Sequence, residues 1–468
     1  MTTSCPPGPR ALPLVGYRGN FAAFIFDSVR FLRRLHDQYG EIASLARGTS
    51  DYIFVFSPRY NQLVLSDSEL FHNIDAGSTP VRMREGSSLG RLYAGLTTMN
   101  GPPHRRQRRL IASALHRRHI DGYAGDITEL ARRQFDGWKS GAEVNLLAEM
   151  RTLTMAVAVK TLLGLKPERE GQETSRLLQD WMDTVFSVPA IAFPVDLPGL
   201  PYRRLMGLSA RLENAIQELI ARRRAGRAGG GDVLSRLIEV CDDDGTGLSD
   251  DELVGQTAFL FMAGHATTAS ALTWTLLLLC AHPEVLCDVL DELDGTLHGD
   301  PPQTSLLGGL PLLDRVIKES LRLLPPVMWW SKVAAVPVEL GRYRLPAGAH
   351  VIFSSYITHR LPELYPRPDS FLPDRWLGCD PGPYGYLPFS AGARMCLGPR
   401  FATMEMKLVL AVLLPRWRLR LRSGLRVECG GLMVSQPKPG LPVRLGSPNG
   451  RVPVARIRGG IRSLVDLP

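Results

Sequence analysis

From Gln256 to Ala281 no residue carries a fixed charge. A stretch of that length either crosses a bilayer or is wrapped by the rest of a large fold. The flanks favour wrapping. Asp250, Asp251 and Glu252 precede the stretch and Glu284 follows it, without the Lys, Arg and aromatic anchors of a membrane interface. Gly264, His265 and several threonines also interrupt it. We therefore expect no membrane span, but the central helix of a core large enough to surround it. A chain of 468 residues, 44% apolar and 22% charged, has the length for such a core, and its globular composition excludes disordered and collagen-like classes.

The patterns around this helix are mostly helical. Phe24 to Gly40 alternates apolar and basic residues at helical spacing and ends on glycine, and Leu312 to Leu324 is amphipathic and stops at Pro325 and Pro326. Val333 to Val351 carries strand-like runs broken by Gly341 and by Pro346, Ala347 and Gly348. Trp417, Leu419 and Leu421 alternate with arginines, the period of a half-buried strand. Gly226 to Gly231 reads as a loop and Asp242 to Gly247 as a turn, both too short to link domains. The expected fold is mainly α, one large domain over residues 1–446 with small β-sheets, followed by a basic, turn-rich and loose tail over 447–468.

The segment Met1 to Gly16 lacks a basic region leading into a long apolar run, and the apolar stretch Phe21 to Phe26 is too short for a signal core. Seven cysteines, odd in number and without a C-x-x-C pair, fit reduced thiols in the cytoplasm. The formal charge of +9 is clustered: His104 to Arg109 reads HRRQRR, Arg117 and Arg118 follow, and Arg222 to Arg227 reads RRRAGR. Such clusters are solvated faces or docking sites for acidic partners. No zinc-finger spacing or RNP motif accompanies them, so nucleic acid is not the expected partner.

Phe389 to Gly398 reads FSAGARMCLG, which is F-x-x-G-x-R-x-C-x-G. This pattern resembles the cysteine-ligand loop of the cytochrome P-450 family, soluble bacterial type. The resemblance implies a haem buried between the central helix and this loop. Its cofactor would be haem b, iron protoporphyrin IX, with Cys396 as axial thiolate, Phe389 beneath the ring and Arg394 on a propionate. Gly392 and Gly398 would let the backbone approach the porphyrin. Glu319 to Arg322 matches the family's E-x-x-R helix motif, and three-residue spacing puts both charges on one face. With Phe371 to Trp376 (FLPDRW), it resembles the structural triad Glu319, Arg322, Arg375, which braces the cysteine loop and does no chemistry. His104 and Arg108, four apart, match the H-x-x-x-R propionate pattern. Lys332 stands where many relatives carry a propionate-binding Arg and cannot form that residue's bidentate fork. His359 reads as a structural histidine.

Ala263 to Thr268 reads AGHATT and resembles the family's A-G-x-(acid)-T-T oxygen-site signature. Gly264 would let the helix open over the iron beside Ala263, and Thr267 would offer a hydroxyl to dioxygen. Ala266 occupies the acid position, so proton delivery must use water, another residue or the substrate, and His265 is expected to point elsewhere. The resemblance implies a monomeric haem-thiolate monooxygenase of secondary metabolism that oxidises an apolar small molecule. Electrons would come from a separate acidic partner, such as a ferredoxin or flavodoxin with its reductase, docked on Arg105 to Arg118. Ala266 keeps open a peroxide-dependent or non-hydroxylating haem-thiolate enzyme, and a haem sensor without turnover is the remaining alternative. Family analogy places substrate contacts at residues 72–100, 181–205, the start of the long helix, Val327 to Trp330 and Leu432 to Val434.

Overall fold

In the computed structural model the uncharged stretch lies within one helix, Asp250–Ala281, of 32 residues. Ser249 starts it: its side chain accepts from the Glu252 N–H while the Glu252 carboxylate accepts from the Ser249 N–H, a reciprocal cap. The structure describes residues 5–468 except 76–82, 85, 169, 227–229, 432 and 451–453. Among the described residues no single helix is long and apolar enough to cross a membrane. The central helix is instead jacketed by the helices Leu146–Leu163, Ser88–Tyr93, Pro201–Arg224, Pro311–Leu323 and Pro399–Arg416. Its buried leucines join one continuous apolar core.

The helical pattern from Phe24 to Gly40 is broken in two by Asp27. Tyr17–Phe26 ends there, and the Asp27 carboxylate accepts from the Arg30 N–H to start Ser28–Tyr39. The small sheets fall where strand periods occur. One has five strands in the order Ile42–Ser44, Tyr52–Val55, His350–Phe353, Trp330–Ala334, Phe71–His72. Only Tyr52–Val55 and His350–Phe353 run parallel in it. A second sheet pairs Pro442–Gly446 with both Glu143–Asn145 and Arg418–Leu421, setting Val443 opposite Leu421 and Leu445 opposite Leu419. Trp329 packs on Phe24 and Trp330 on the sheet's apolar cluster, so both rings serve core packing.

The expectation of a loose C-terminal tail fails for residues 454–468. Ile457, Ile461, Leu464, Val465 and Leu467 are buried in the main core. The Arg458 N–H donates to the Leu425 carbonyl at 2.8 Å, and the Asp466 N–H to the Asp369 carbonyl at 2.9 Å. The segment is basic in composition but supplies apolar residues at intervals that let it line the body. Residues 451–453, 227–229 of the glycine-rich loop, 432, and 76–82 and 85 of the expected substrate segment lie outside the described residues.

Candidate functional site

Two left-handed residues shape the cysteine loop. Ser390 (φ 59) and Gly392 (φ 70) turn the backbone after Phe389, and the Cys396 N–H closes it by donating to the Phe389 carbonyl at 2.9 Å. Gly392 is required twice over, since a Cβ there would lie 2.0 Å from the Leu65 carbonyl oxygen. The Gly398 N–H donates to the Cys396 sulfur at 3.3 Å as Pro399 begins the helix Pro399–Arg416. Burial pushes the Cys396 thiol pKa up, while the Gly398 N–H and the Arg108 guanidinium act in favour of the thiolate. Phe389 packs against the main core from within the loop.

Of the residues from Leu253 to Ala281, only Phe259, Met262, Ala263, Gly264, Ala266 and Thr267 escape full burial. Their spacing is that of a single helix face in mid-helix, so this stripe looks into a hollow inside the fold. A Cβ on Gly264 would meet nothing within 4 Å, and the same holds at Gly398. Both glycines thus border open space. The Thr267 hydroxyl donates to the Ala263 carbonyl at 2.7 Å, which leaves its lone pairs free to accept. His265 lies on the opposite face, buried, with Nδ1 2.9 Å from the Thr154 hydroxyl. Burial lowers its pKa to about 4, so the ring is neutral.

Segment 96–100 ties this helix to the cysteine loop. The Gln256 side chain accepts from the Leu96 N–H at 3.3 Å, and Arg394 donates to the carbonyls of Leu96 at 3.3 Å and Met99 at 2.7 Å. The helix Gly101–Ala114 adds a second tie, with Gln107 bonded to Gln256 and Glu252, and Arg108 donating to the Met395 carbonyl at 2.6 Å.

Four basic side chains converge between these elements. Burial pushes the His104 pKa down to about 4, and the charges of Arg394, Arg108, Lys332 and Arg105 push it further the same way. Lys332 is lowered to about 7 by burial and then by Arg394, and Arg394 to about 10 by burial and then by Arg108. The hydrogen-bond partners of these two cations are neutral. Lys332 Nζ donates to Asn73 Oδ1 at 2.5 Å, and Arg394 donates to Asn100 Oδ1 at 2.7 Å. The two asparagines also bind each other, the Asn73 N–H donating to Asn100 Oδ1 at 2.9 Å and Asn100 Nδ2 to the Asn73 carbonyl at 3.0 Å. Arg394 Nε is buried with no partner. Clustered basic groups whose hydrogen-bond partners are neutral, with an orphaned donor among them, suit a bound anion. A ring carrying two carboxylates, with one face towards a thiolate, fits this donor set.

Behind the loop, Glu319 collects donors. Arg322 Nε and one terminal nitrogen reach its two oxygens at 2.9 Å each, Arg375 Nε at 2.9 Å, Trp376 Nε1 at 3.1 Å and the Leu372 N–H at 3.0 Å. Arg322 also donates to the carbonyls of His359, Pro368 and Ser370. His359 Nε2 accepts from the Leu387 N–H at 2.7 Å just before the cysteine loop, while Nδ1 lies 3.1 Å from the Arg322 carbonyl.

The structure thus brings together Ala263, Gly264 and Thr267 on one stripe, the neutral ring of His104 with Arg108, Lys332 and Arg394 in one basic group, and Glu319, Arg322 and Arg375 in one braced cluster. Asn73, Asn100, Gln107 and Gln256 are additions that single amides in a sequence do not announce. The basic run is also sorted by fold. His104 and Arg108 turn inward, and Arg106 is spent on Asp242 at 2.8 Å and on the Thr246 and Gly247 carbonyls. Arg105 pairs with Glu69, while Arg109, Arg117 and Arg118 are exposed.

The family profile of cytochrome P-450 matches residues 6–442. Cyclooctat-9-en-7-ol 5-monooxygenase of Streptomyces melanosporofaciens is 33% identical over 431 residues, covering 90% of each chain. Cyclooctatin synthase of the same organism is 33% identical over 429 residues, 90% of this chain and 91% of its own. Among solved structures, the retinoic-acid-bound cyanobacterial CYP120A1 superposes with a TM-score of 0.82 at 27% identity, over 96% of this chain and 100% of its own.

Proposed function

The chain belongs to the cytochrome P-450 family, oxidoreductases whose cofactor is haem b, and from that premise we propose that it inserts one oxygen atom from dioxygen into an apolar small molecule, with electrons from a separate acidic redox partner. The observation that carries the reading is the amide-held cation group beside the cysteine loop. Cys396 would ligate the iron, and His104, Arg108, Lys332 and Arg394 would take the propionates. When bound through a thiolate, haem supplies electron transfer and dioxygen chemistry, the sulfur favouring O–O cleavage. The chain supplies the rest. The Gly398 N–H and Arg108 hold negative charge on the sulfur. Phe259, Met262 and Ala263 offer an apolar wall that orients substrate and excludes water. Thr267, its own hydrogen donated to Ala263, holds a water by accepting from it and does not act as an acid.

The names of the two Streptomyces relatives support a small apolar compound of secondary metabolism as substrate, and the cysteine chemistry supports the cytoplasm. Arg109, Arg117 and Arg118 are the surface cations we assign to the redox partner, with the chain acting as a monomer. One observation favours a second reading, in which peroxide replaces dioxygen and reductant: Ala266 lies on the stripe at the position of the missing acid. Turnover driven better by peroxide than by NAD(P)H with a reductase would select it.

The ligand assignment is tested on the reduced carbon monoxide complex. A strongly red-shifted Soret band is expected, lost in Cys396→Ala and kept in Cys379→Ala. An unchanged spectrum in Cys396→Ala overturns it.

A further inference from the structure

The strands Glu428–Gly430 and Gln436–Lys438 form a hairpin in which Glu428 stands opposite Lys438 and Gly430 opposite Gln436. Between this hairpin and the start of the helix Leu146–Leu163 runs an open groove of about 640 Å³, to which Leu147, Pro437 and Pro439 give apolar walls. None of its lining residues belongs to the stripe, the basic group or the braced cluster. The hairpin side is firmly anchored. Ser435 donates to the Pro325 carbonyl at 2.9 Å and accepts from Trp274 Nε1 at 3.2 Å, while its own carbonyl accepts from the Ser270 hydroxyl. On the helix side, the Thr154 hydroxyl, one turn beyond Arg151, meets His265 of the central helix.

Three cations, Arg151, Arg426 and Lys438, share this groove with one carboxylate, and that carboxylate is already engaged. Glu428 Oε1 accepts from Arg426 Nε at 2.8 Å, and Oε2 from the Gly460 N–H at 2.7 Å. Arg151 has an amide for a partner. One of its terminal nitrogens donates to Gln436 Oε1 at 2.6 Å, and among the described residues no carboxylate pairs with it. Lys438 makes no hydrogen bond or ion pair among the described residues, and its stem lies over Gly430, diagonally away from Glu428. Glu149, two positions before Arg151 and so on another helix face, turns to Gln134 and Trp138. Asp27, whose charge acts on Cys429, caps its own helix and does not line the groove. A part-buried guanidinium held by a neutral amide keeps its charge and the rest of its donor fork for an incoming acceptor. That planar fork matches a carboxylate, and the adjoining hydrocarbon walls match an apolar body.

We propose that this groove is a binding site for a small amphiphilic carboxylate, its head on the Arg151 fork, with Lys438 adding charge, and its hydrocarbon body against Leu147, Pro437 and Pro439. The assignment is independent of the haem reading.

The test is calorimetric titration of the haem-loaded chain with hexanoate, with hexanamide as its neutral analogue and acetate as its head alone. Saturable binding of hexanoate is expected, about tenfold or more tighter than that of hexanamide. It should exceed acetate by about fourfold for each methylene the groove covers. Arg151→Gln, which can keep a bond to Gln436, should weaken hexanoate about tenfold or more. Lys438→Glu, at an exposed position, should weaken it about fivefold or more at low salt. An unchanged carbon monoxide spectrum and urea midpoint show that a variant's fold is intact, and should Arg151→Gln fail that check, Lys438→Glu decides alone. Absence of saturable binding, equal affinity for hexanoate and hexanamide, or affinity unaltered in the deciding variant overturns the proposal. Hexanoate that shifts the haem spin state and ignores both substitutions also overturns it, by placing the ligand in the haem hollow.

Discussion

Lys332 and Arg394 are oriented by Asn73 and Asn100, and the choice of amide over carboxylate is what keeps their charge available. An aspartate at either position would have the same shape and accept the same bonds, but it would neutralise the cation inside the protein and repel a propionate. We predict that Asn100→Asp releases haem to an apo-globin acceptor about tenfold faster or more, the worth of one lost charge-assisted bond. Asn100→Ala, which removes a neutral partner and leaves the charge, should release it more slowly than Asn100→Asp. Haem retention in Asn100→Asp equal to that of the parent chain would mean the asparagines serve shape alone. Cys396 could be read in the sequence because its loop constrains five positions at fixed offsets. Asn73 and Asn100 could not, because a lone amide carries no spacing signal and its role exists only once segment 96–100 lies against the loop.

The element that binds fold to site is the helix Pro311–Leu323, whose Glu319 is shared by three side chains from its own helix and from residues 373–377. Neutralising it leaves Arg322 and Arg375 facing each other without a counter-charge in a buried setting. Glu319→Gln should therefore cost about 3–5 kcal/mol, read as a fall in urea midpoint together with lower haem content. A midpoint within error of the parent would show the cluster to be dispensable. The pairing of Glu319 with Arg322 follows from three-residue spacing on a helix. The contacts of Trp376 and His359 do not, since they depend on how the irregular stretch 359–389 folds back. The same limit applies near the N-terminus, where the apolar period runs on through Asp27 although that residue's cap ends one helix and starts the next.

At the scale of the molecule, the uncharged stretch predicted the centre of the fold, but not what lay at its edges. The tail's alternation of arginine and apolar residues conceals a docked segment, because short irregular chains bury side chains without a regular period. Burial at the centre also sets a response to acid. His265 is held to about 4 and His359 to about 3, both by enclosure, against an ordinary 6.5. Below that ordinary value the unfolded chain takes up a proton at each ring that the folded chain refuses. Stability therefore rises with pH over this window: it is fully present above about pH 6.5 and lost as the pH falls towards the folded values. We predict that the urea midpoint of the haem-loaded chain drops steadily from about pH 7 to about pH 5. His265→Asn, which keeps a polar group towards Thr154 but cannot be protonated, should lower the slope by close to one proton in that range. A slope unaltered in both His265→Asn and His359→Asn would place the acid sensitivity on other groups, such as His104, whose pKa is also held to about 4.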